Sequence, residues 1–413
     1  MLHRLKTCCM LVALGLCPAH ADAALRMTPL ELPGHAQPSI STDGRGGFVL
    51  TSIERQGSRA ELRFHQLDRQ GQLQHSGLIA SGSDWFVNWA DFPSLVVADN
   101  GDWLSFYLRK SDPSKPYAYD IWTTRSTDRG QTWSEASRLN QDNRPTEHGF
   151  VSLLPDGEDR VLAIWLDGRR GAEAGSHAGH DDHGAAHTSL RSAQLSRDGS
   201  TQQVELDDLT CDCCHTDALR TEQGPWVVYR DRSREEIRDI GWLRRFDHGW
   251  SAPAIAVADH WQMAGCPVNG PALTRLGDRP LLAWPTQNGA NFELRLAVHA
   301  QSGWQPLTRL EAHPSLLGRV DAAPWHSERA LVSWLGVAEG TAGHPVLRVA
   351  ELDGNGEQIS RLDITELPVG RNTGMPRLAS LGDAAILVWT EPGAAGPRVR
   401  GVRIETDATI SDD

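Results

Sequence analysis

The stretch Ser126–Trp133 reads STDRGQTW and fits the spacing S-x-D-x-G-x-T-W. Its physical content is a tight β-hairpin. Asp128 is placed to accept hydrogen bonds from the amides of the turn, and Gly130 can take the positive φ that the turn needs. Ser126 opens the turn, and Trp133 is expected to pack beneath the next unit of structure. A pattern of this kind specifies a fold and is nearly silent on function.

Weaker copies of the turn lie on both sides. LDRQGQL surrounds Asp68, LSRDGST Asp198, RFDHGWS Asp247, AQSGWQ Trp304 and LDGNGEQ Asp353. They recur at roughly 50–70 residues, the range of propeller blades with insertions. Each follows a pair of short β-type runs, such as FPSLVV with WLSFYLR, or GPALTRL with PLLAWPT. Helical periodicity is scarce. Seven such units can be counted. The expected fold is all-β: a single β-propeller of four-stranded blades, seven in number, with six as the alternative. After Met375 there is room for about three strands, so LRMTPLELP near the N-terminus is expected to supply the fourth and close the ring.

The chain has 413 residues, 39% hydrophobic and 23% charged, with a formal net charge of -13. A nucleic-acid partner is excluded, because a phosphate backbone would be repelled. Residues 1–23 read as a secretory signal peptide: Arg4 and Lys6, a short apolar run, then Ala-x-Ala sites. That run is too short for a bilayer, and no later stretch spans one. Residues 24–413 then form the propeller, with a His-rich insertion at 171–187, in a periplasmic or secreted monomer. Cys8, Cys9 and Cys17 leave with the signal. Cys211, Cys213, Cys214 and Cys266 enter an oxidising compartment, where disulfides are the default.

Through STDRGQTW and its decayed copies the chain resembles the sialidase-like Asp-box (BNR-repeat) propeller superfamily. The resemblance implies the fold across essentially the whole mature chain. It also implies an exo-sialidase-type glycoside hydrolase as one candidate activity. The candidate catalytic set is Asp167, Arg169, Tyr229, Arg230, Asp231 and Arg319, with Arg232 as an alternative to Arg230. In it three guanidinium forks would clamp a substrate carboxylate. The sequence departs from the family pattern at two points. No arginine stands in HAQPSIST, and the last of the four tyrosines is Tyr229, so the second half of the chain has no tyrosine nucleophile.

Propeller topology gathers certain residues on one face. The segments before each inner strand and the loops between second and third strands converge there, and binding sites on rigid scaffolds are usually built from such loops. Cys211, Cys213, Cys214 and His215 precede the fourth inner strand, and Cys266 precedes the fifth. Trp89 and Asp91 precede the second, Glu147 and His148 the third, Arg319 and Asp321 the sixth, Arg371 and Asn372 the seventh. The loops add Asp167, Arg169, Gln287 and Asn288, together with His177, His180, His183 and His187 of the His-rich tract.

Three chemistries fit this set. Thiolates and imidazoles suit Cu(I) or Zn(II), so Cys211, Cys213, Cys214, His215 and Cys266 form a candidate metal site, with the four loop histidines beside it. In an extended segment Cys211 and Cys213 face one side and Cys214 the other, so only two of the three would converge without a turn. Alternatively, the cysteines form two disulfides, one tying Cys266 to Cys213 or Cys214 and one involving Cys211. Third, the face is a non-catalytic binding module for a glycan, protein or small polar ligand, lined by Trp89, Asp91, Glu147, His148, Gln287, Asn288, Arg371 and Asn372. Trp165, Trp284, Trp334 and Trp389 sit at equivalent places on second strands and are assigned to the core. Trp85 and Trp89 are the candidates for exposed aromatics.

Overall fold

The computed structural model describes residues 24–173 and 187–407. The 1–23 segment, with Cys8, Cys9 and Cys17, lies outside the described residues, as do His177, His180 and His183. Among the described residues no helix is long and apolar enough to cross a membrane.

Seven antiparallel sheets follow one another along the chain, over 36–82, 95–138, 148–210, 217–255, 272–313, 318–366 and 377–406. They are numbered here as blades one to seven. The inner strands, Ala36–Thr42, Leu95–Val97, His148–Pro155, Asp217–Thr221, Ala272–Leu276, Gly318–Trp325 and Arg377–Ser380, touch their neighbours in a closed ring. The seventh blade takes its outer strand from the N-terminus. Leu25–Leu30 pairs antiparallel with Arg398–Thr406, Leu25 opposite Thr406 and Leu30 opposite Gly401. The ring is therefore closed by the strand expected to close it, and the count is seven rather than six.

The turn at Ser126–Trp133 is a network of its own side chains. Ser126 donates to Asp128 at 2.8 Å and accepts the Gly130 N–H at 2.7 Å. The Thr132 hydroxyl and amide donate to the Asp128 carboxylate at 2.6 and 2.9 Å. Those two donors, with Ser126, hold the Asp128 carboxyl down to about 2. Asp68 and Asp353 close equivalent turns, each accepting the amides two and four residues on at 2.8–3.0 Å. Trp133 packs on Phe64 and Trp103, so it rests on the preceding blade rather than the next. Gly130 has φ of 86°, and a Cβ there would stand 2.6 Å from the Phe64 ring. Glycine is needed for both conformation and space.

Each junction between blades carries one apolar cluster, seven in all among the described residues. Trp165, Trp284, Trp334 and Trp389 are at most 5% exposed and belong to these clusters. Trp85 is buried against Tyr107, stacked at 4.5 Å, which corrects its assignment as an exposed aromatic.

Each junction also carries a polar link between inner strands or their flanks. Ser41 donates to the Leu95 carbonyl, Ser152 to that of Thr216, and Asn269 to that of Leu317. Asp91, Asp217 and Asp321 accept the amides of Phe150, Leu273 and Leu378 at 2.9, 2.7 and 2.8 Å. Thr390 accepts the Gln37 amide. Three inner strands begin with a bulge whose residue lies in the left-handed region: Gln37, Phe150 and Arg319. The amide of each is taken by a side chain of the preceding blade, from Thr390, Asp91 and Asn269 respectively. The bulge turns the amide out of its own sheet, and the neighbour satisfies it.

Gly130→Ala is expected to destabilise by about 2–4 kcal/mol, since strained φ and overpacking add. Gly57 has φ of 62°, but a Cβ there would meet nothing within 4 Å, so Gly57→Ala is expected to cost about 1 kcal/mol. Urea unfolding of the two variants distinguishes them; equal losses would refute the packing role of Phe64.

Candidate functional site

The connection from blade three to blade four begins where the Cys211 amide donates to the Arg230 carbonyl at 3.0 Å. A turn at Asp212 and Cys213 follows. It folds Cys214 back, so that the Cys211 thiol donates to the Cys214 sulfur at 3.0 Å. The strict alternation expected of an extended segment is therefore broken, and Cys211 and Cys214 share one side. Cys211 Sγ also lies 3.8 Å from Cys213 Sγ. Cys213 is disulfide-bonded to Cys266, stapling the segments that lead into blades four and five. Cys211 and Cys214 are free thiols, each 1% exposed, so a second disulfide is not formed in this structure. Cys211 and Cys214 stand in a C-x-x-C spacing, a signal masked in the sequence by the crowding of the cluster.

Two buried arginines back the sulfurs. Arg230 is 1% exposed and gives its guanidinium to the carbonyls of Asn269, Arg238 and Pro285 at 2.6–2.7 Å, with its ring partner Trp261 at 4.9 Å. Arg238 bonds Glu236 at 2.6 Å, while its buried Nη1 has no hydrogen-bond partner among the described residues. Burial pushes the Cys211 thiol well up. Burial acts the same way on Cys214, but the Cys211 thiol, the Arg230 charge and the Asn269 amide outweigh it and draw that thiol below its ordinary value.

His215 does not join the sulfurs. Its ring lies between Phe92 and Phe150, at 5.3 and 5.4 Å, and burial pushes it down to about 3, with Arg377 adding to the effect. It lines a cavity of about 20 Å³ among Asp217, Asn269, Arg319, Asp321 and Arg377. That volume suits a water rather than an organic ligand. Burial, then the Asp321 charge, pushes the Asp217 carboxyl up to about 7. The Arg319 guanidinium lies 4.7 Å and that of Arg371 6.0 Å from the Trp89 ring. Asn372 beside them is exposed.

A second group lies between blades two and three. The Tyr119 hydroxyl sits 2.8 Å from Asp91 Oδ2 and 2.8 Å from Glu147 Oε1. One phenolic proton serves only one acceptor, so this contact calls for a further proton on one of the carboxyls. Burial pushes Asp91 up to about 7 and Glu147 up to about 8. Tyr119 starts the third strand of its blade, directly beside the loop that the topology sends to this face. Its place in that strand was the signal that could have found it.

The candidate catalytic residues are not assembled as a clamp. Arg169 is held by Asp167 through two 2.6 Å contacts. The Asp167 carboxylate also accepts the Trp165 indole N–H at 2.9 Å. The same construction recurs in other blades: Trp284 donates to Asp259, which pairs with Arg295, and Trp334 donates to Glu311, which pairs with Arg348. Asp167 and Arg169 thus belong to a structural repeat. Arg230 is engaged by three carbonyls, and Arg319 is tied to Thr373 and to the carbonyls of Gly370 and Gly374. Tyr229 donates to Asp207. Asp231 is pushed up to about 6 by burial and then by Asp207. Gln287 accepts the Trp261 indole N–H at 3.0 Å, and Asn288 sits in a hairpin beside Glu293. Arg232 pairs with Glu236.

His148 is fully buried among Asp142, Asp120 and Asp167, at 3.2, 3.4 and 3.7 Å. Burial opposes its charge, but Asp142 and Asp167 prevail and raise it. Asp142, His148 and Asp167 offer ligand atoms in metal-like proximity, yet Arg169 already lies against both carboxylates. His187 is exposed.

No protein-family model matches the chain, and no curated protein matches it. Solved structures do. A Hadza microbial sialidase, Hz136, is 14% identical, with 83% of this chain and 73% of that chain covered and a TM-score of 0.49. The intramolecular trans-sialidase from Ruminococcus gnavus is 10% identical, with 78% and 95% covered and a TM-score of 0.48. The α-L-arabinanase from Penicillium chrysogenum is 16% identical, with 79% and 95% covered and a TM-score of 0.45.

The raised Asp217 carboxyl makes a pH prediction. Its folded value, about 7, exceeds the ordinary carboxylate value of 3.8, so the fold favours the protonated form and its contribution to stability is lost as pH rises from about 4 to about 7. Asp217→Asn removes this loss. Relative to the parent, the variant is expected to gain about 1–3 kcal/mol on going from pH 4 to pH 8. Thermal unfolding of both proteins at the two pH values checks it; an unchanged difference would contradict the buried, proton-holding environment.

Proposed function

We propose that the protein binds a soft metal ion, Cu(I) or Zn(II), through the sulfur cluster where blades four and five meet. The observation that carries this reading is the pair of buried free thiols, Cys211 and Cys214, 3.0 Å apart, with a third sulfur, Cys213, 3.8 Å from the first. Metal–sulfur bonds of about 2.3 Å in a tetrahedral site put sulfurs about 3.8 Å apart. The Cys211–Cys214 contact has only to widen for both thiolates to bind one ion, and Cys213 lies at that spacing from Cys211 once its disulfide is opened. Arg230 and Arg238 balance the negative charge of a thiolate complex, and the unpaired Arg238 Nη1 is a donor suited to a thiolate. The four cysteines outside residues 1–23 and the Cys213–Cys266 staple support the secreted or periplasmic address expected of that segment.

A second reading rests on Asp91, Tyr119 and Glu147. A tyrosine between two carboxyls, one of them protonated, has the parts of a glycoside-hydrolysing site.

Titration of the full-length protein with Cu(I) under anaerobic conditions, followed by thiolate-to-metal charge-transfer absorption, tests the first reading. Cys211→Ser/Cys214→Ser is expected to lose about one equivalent of bound metal relative to the parent; equal stoichiometry would end the metal proposal. Turnover of a fluorogenic sialoside that disappears in Glu147→Gln would favour the second reading instead.

A further inference from the structure

We infer that the Cys213–Cys266 crosslink is exchangeable: the buried Cys211/Cys214 pair can take over the disulfide and release Cys266 as a surface thiol. This rests on and deepens the metal reading, because the exchange decides which sulfurs are free to become ligands.

The geometry places a proton acceptor, a nucleophile and a disulfide within contact of one another. Cys214 first gives up its own proton to solvent. Cys211 donates its proton to Cys214 across 3.0 Å. Full transfer of that proton leaves Cys211 as the thiolate, with its sulfur 3.8 Å from Cys213 Sγ. A lone pair of Cys211 forms the new Cys211–Cys213 bond. The electron pair of the old Cys213–Cys266 bond leaves with Cys266, which is exposed and takes a proton from solvent. In a second step the Cys214 proton is lost to solvent, and its thiolate attacks the Cys211 sulfur. The crosslink becomes Cys211–Cys214, and Cys213 leaves as a thiolate and is protonated. One disulfide and two thiols are present before and after, so no external oxidant or reductant enters.

Asp212 lies beside Cys213 and Cys266, their ligand atoms within 4.8 Å of one another. Only the attack on the Cys213 sulfur can start from inside. Cys266 is the exposed end and Cys211 the buried one, so the relay connects a sealed thiol pair to the surface.

The test is native alkylation of the full-length, metal-free protein at pH 8 with iodoacetamide and no reductant, each cysteine being mapped by mass spectrometry. Label is expected to accumulate on Cys266, with a matching rise of Cys211–Cys213 or Cys211–Cys214 linked peptides. Cys211→Ser is expected to slow Cys266 labelling by at least about tenfold, and Cys214→Ser to slow it because the proton acceptor is gone. If Cys266 stays unlabelled while Cys211 and Cys214 label on denaturation, the exchange does not occur. If Cys211→Ser labels Cys266 as fast as the parent, Cys211 is not the nucleophile. Far-UV circular dichroism of each variant guards against misfolding: a variant that keeps the parent's spectrum yet labels Cys266 as fast as the parent overturns the proposal. Because no metal is present, failure here is separate from failure of the metal titration.

Discussion

Inner strands of neighbouring blades do not pair along their lengths; each belongs to its own sheet. The amides and carbonyls that face a junction therefore depend on side chains. Asp91, Asp217 and Asp321 take amides across three junctions, Asn269 and Thr390 across two more, and serines close the remainder. A buried amide left without its acceptor costs about 1–3 kcal/mol, so these links are a condition of the ring rather than an ornament to it. The seven apolar clusters supply adhesion between blades, and the polar links supply register.

This requirement explains why the axis is crowded with buried acids that serve as acceptors. Asp91, Asp217 and Asp321 lie where a ligand site would be sought, yet each is engaged as an acceptor. Their burial shifts their titration toward neutrality, the same signature that functional carboxyls show. Asp167 and Arg169 are absorbed in a different way, by a tryptophan–acid–arginine unit that recurs in blades five and six. The residues left over are the sulfurs and the Tyr119–Glu147 pair, which no repeat explains.

Much of the fold was legible from short-range pattern. STDRGQTW, its decayed copies and the paired β-type runs place every inner and second strand, and LRMTPLELP closes the ring as expected. The adjacency of Cys266 to the Cys211–Cys214 segment also follows from blade order alone. The site was less legible. A turn at Asp212 and Cys213, absent from any local rule for an extended segment, puts Cys214 over Cys211. Tyr119 escapes a reading of the sequence because a tyrosine at a strand start looks like core. Trp85 is hidden for a different reason: its burial on Tyr107 depends on a bridge to Arg109 of the second strand of blade two.

Sequence alone determined the architecture: an all-β ring of repeated hairpins, whose local turns each carry their own hydrogen-bond logic. It also determined which cysteines stand near one another. Tertiary structure alone decided which of those cysteines are bonded and which are free, and that the candidate arginines are already satisfied by carbonyls and carboxylates. The reason is range. A turn such as that at Asp128 is closed by residues within four positions of one another, whereas the partners of Arg230, Arg319 and Cys213 come from other blades, and only closure of the ring brings them into contact.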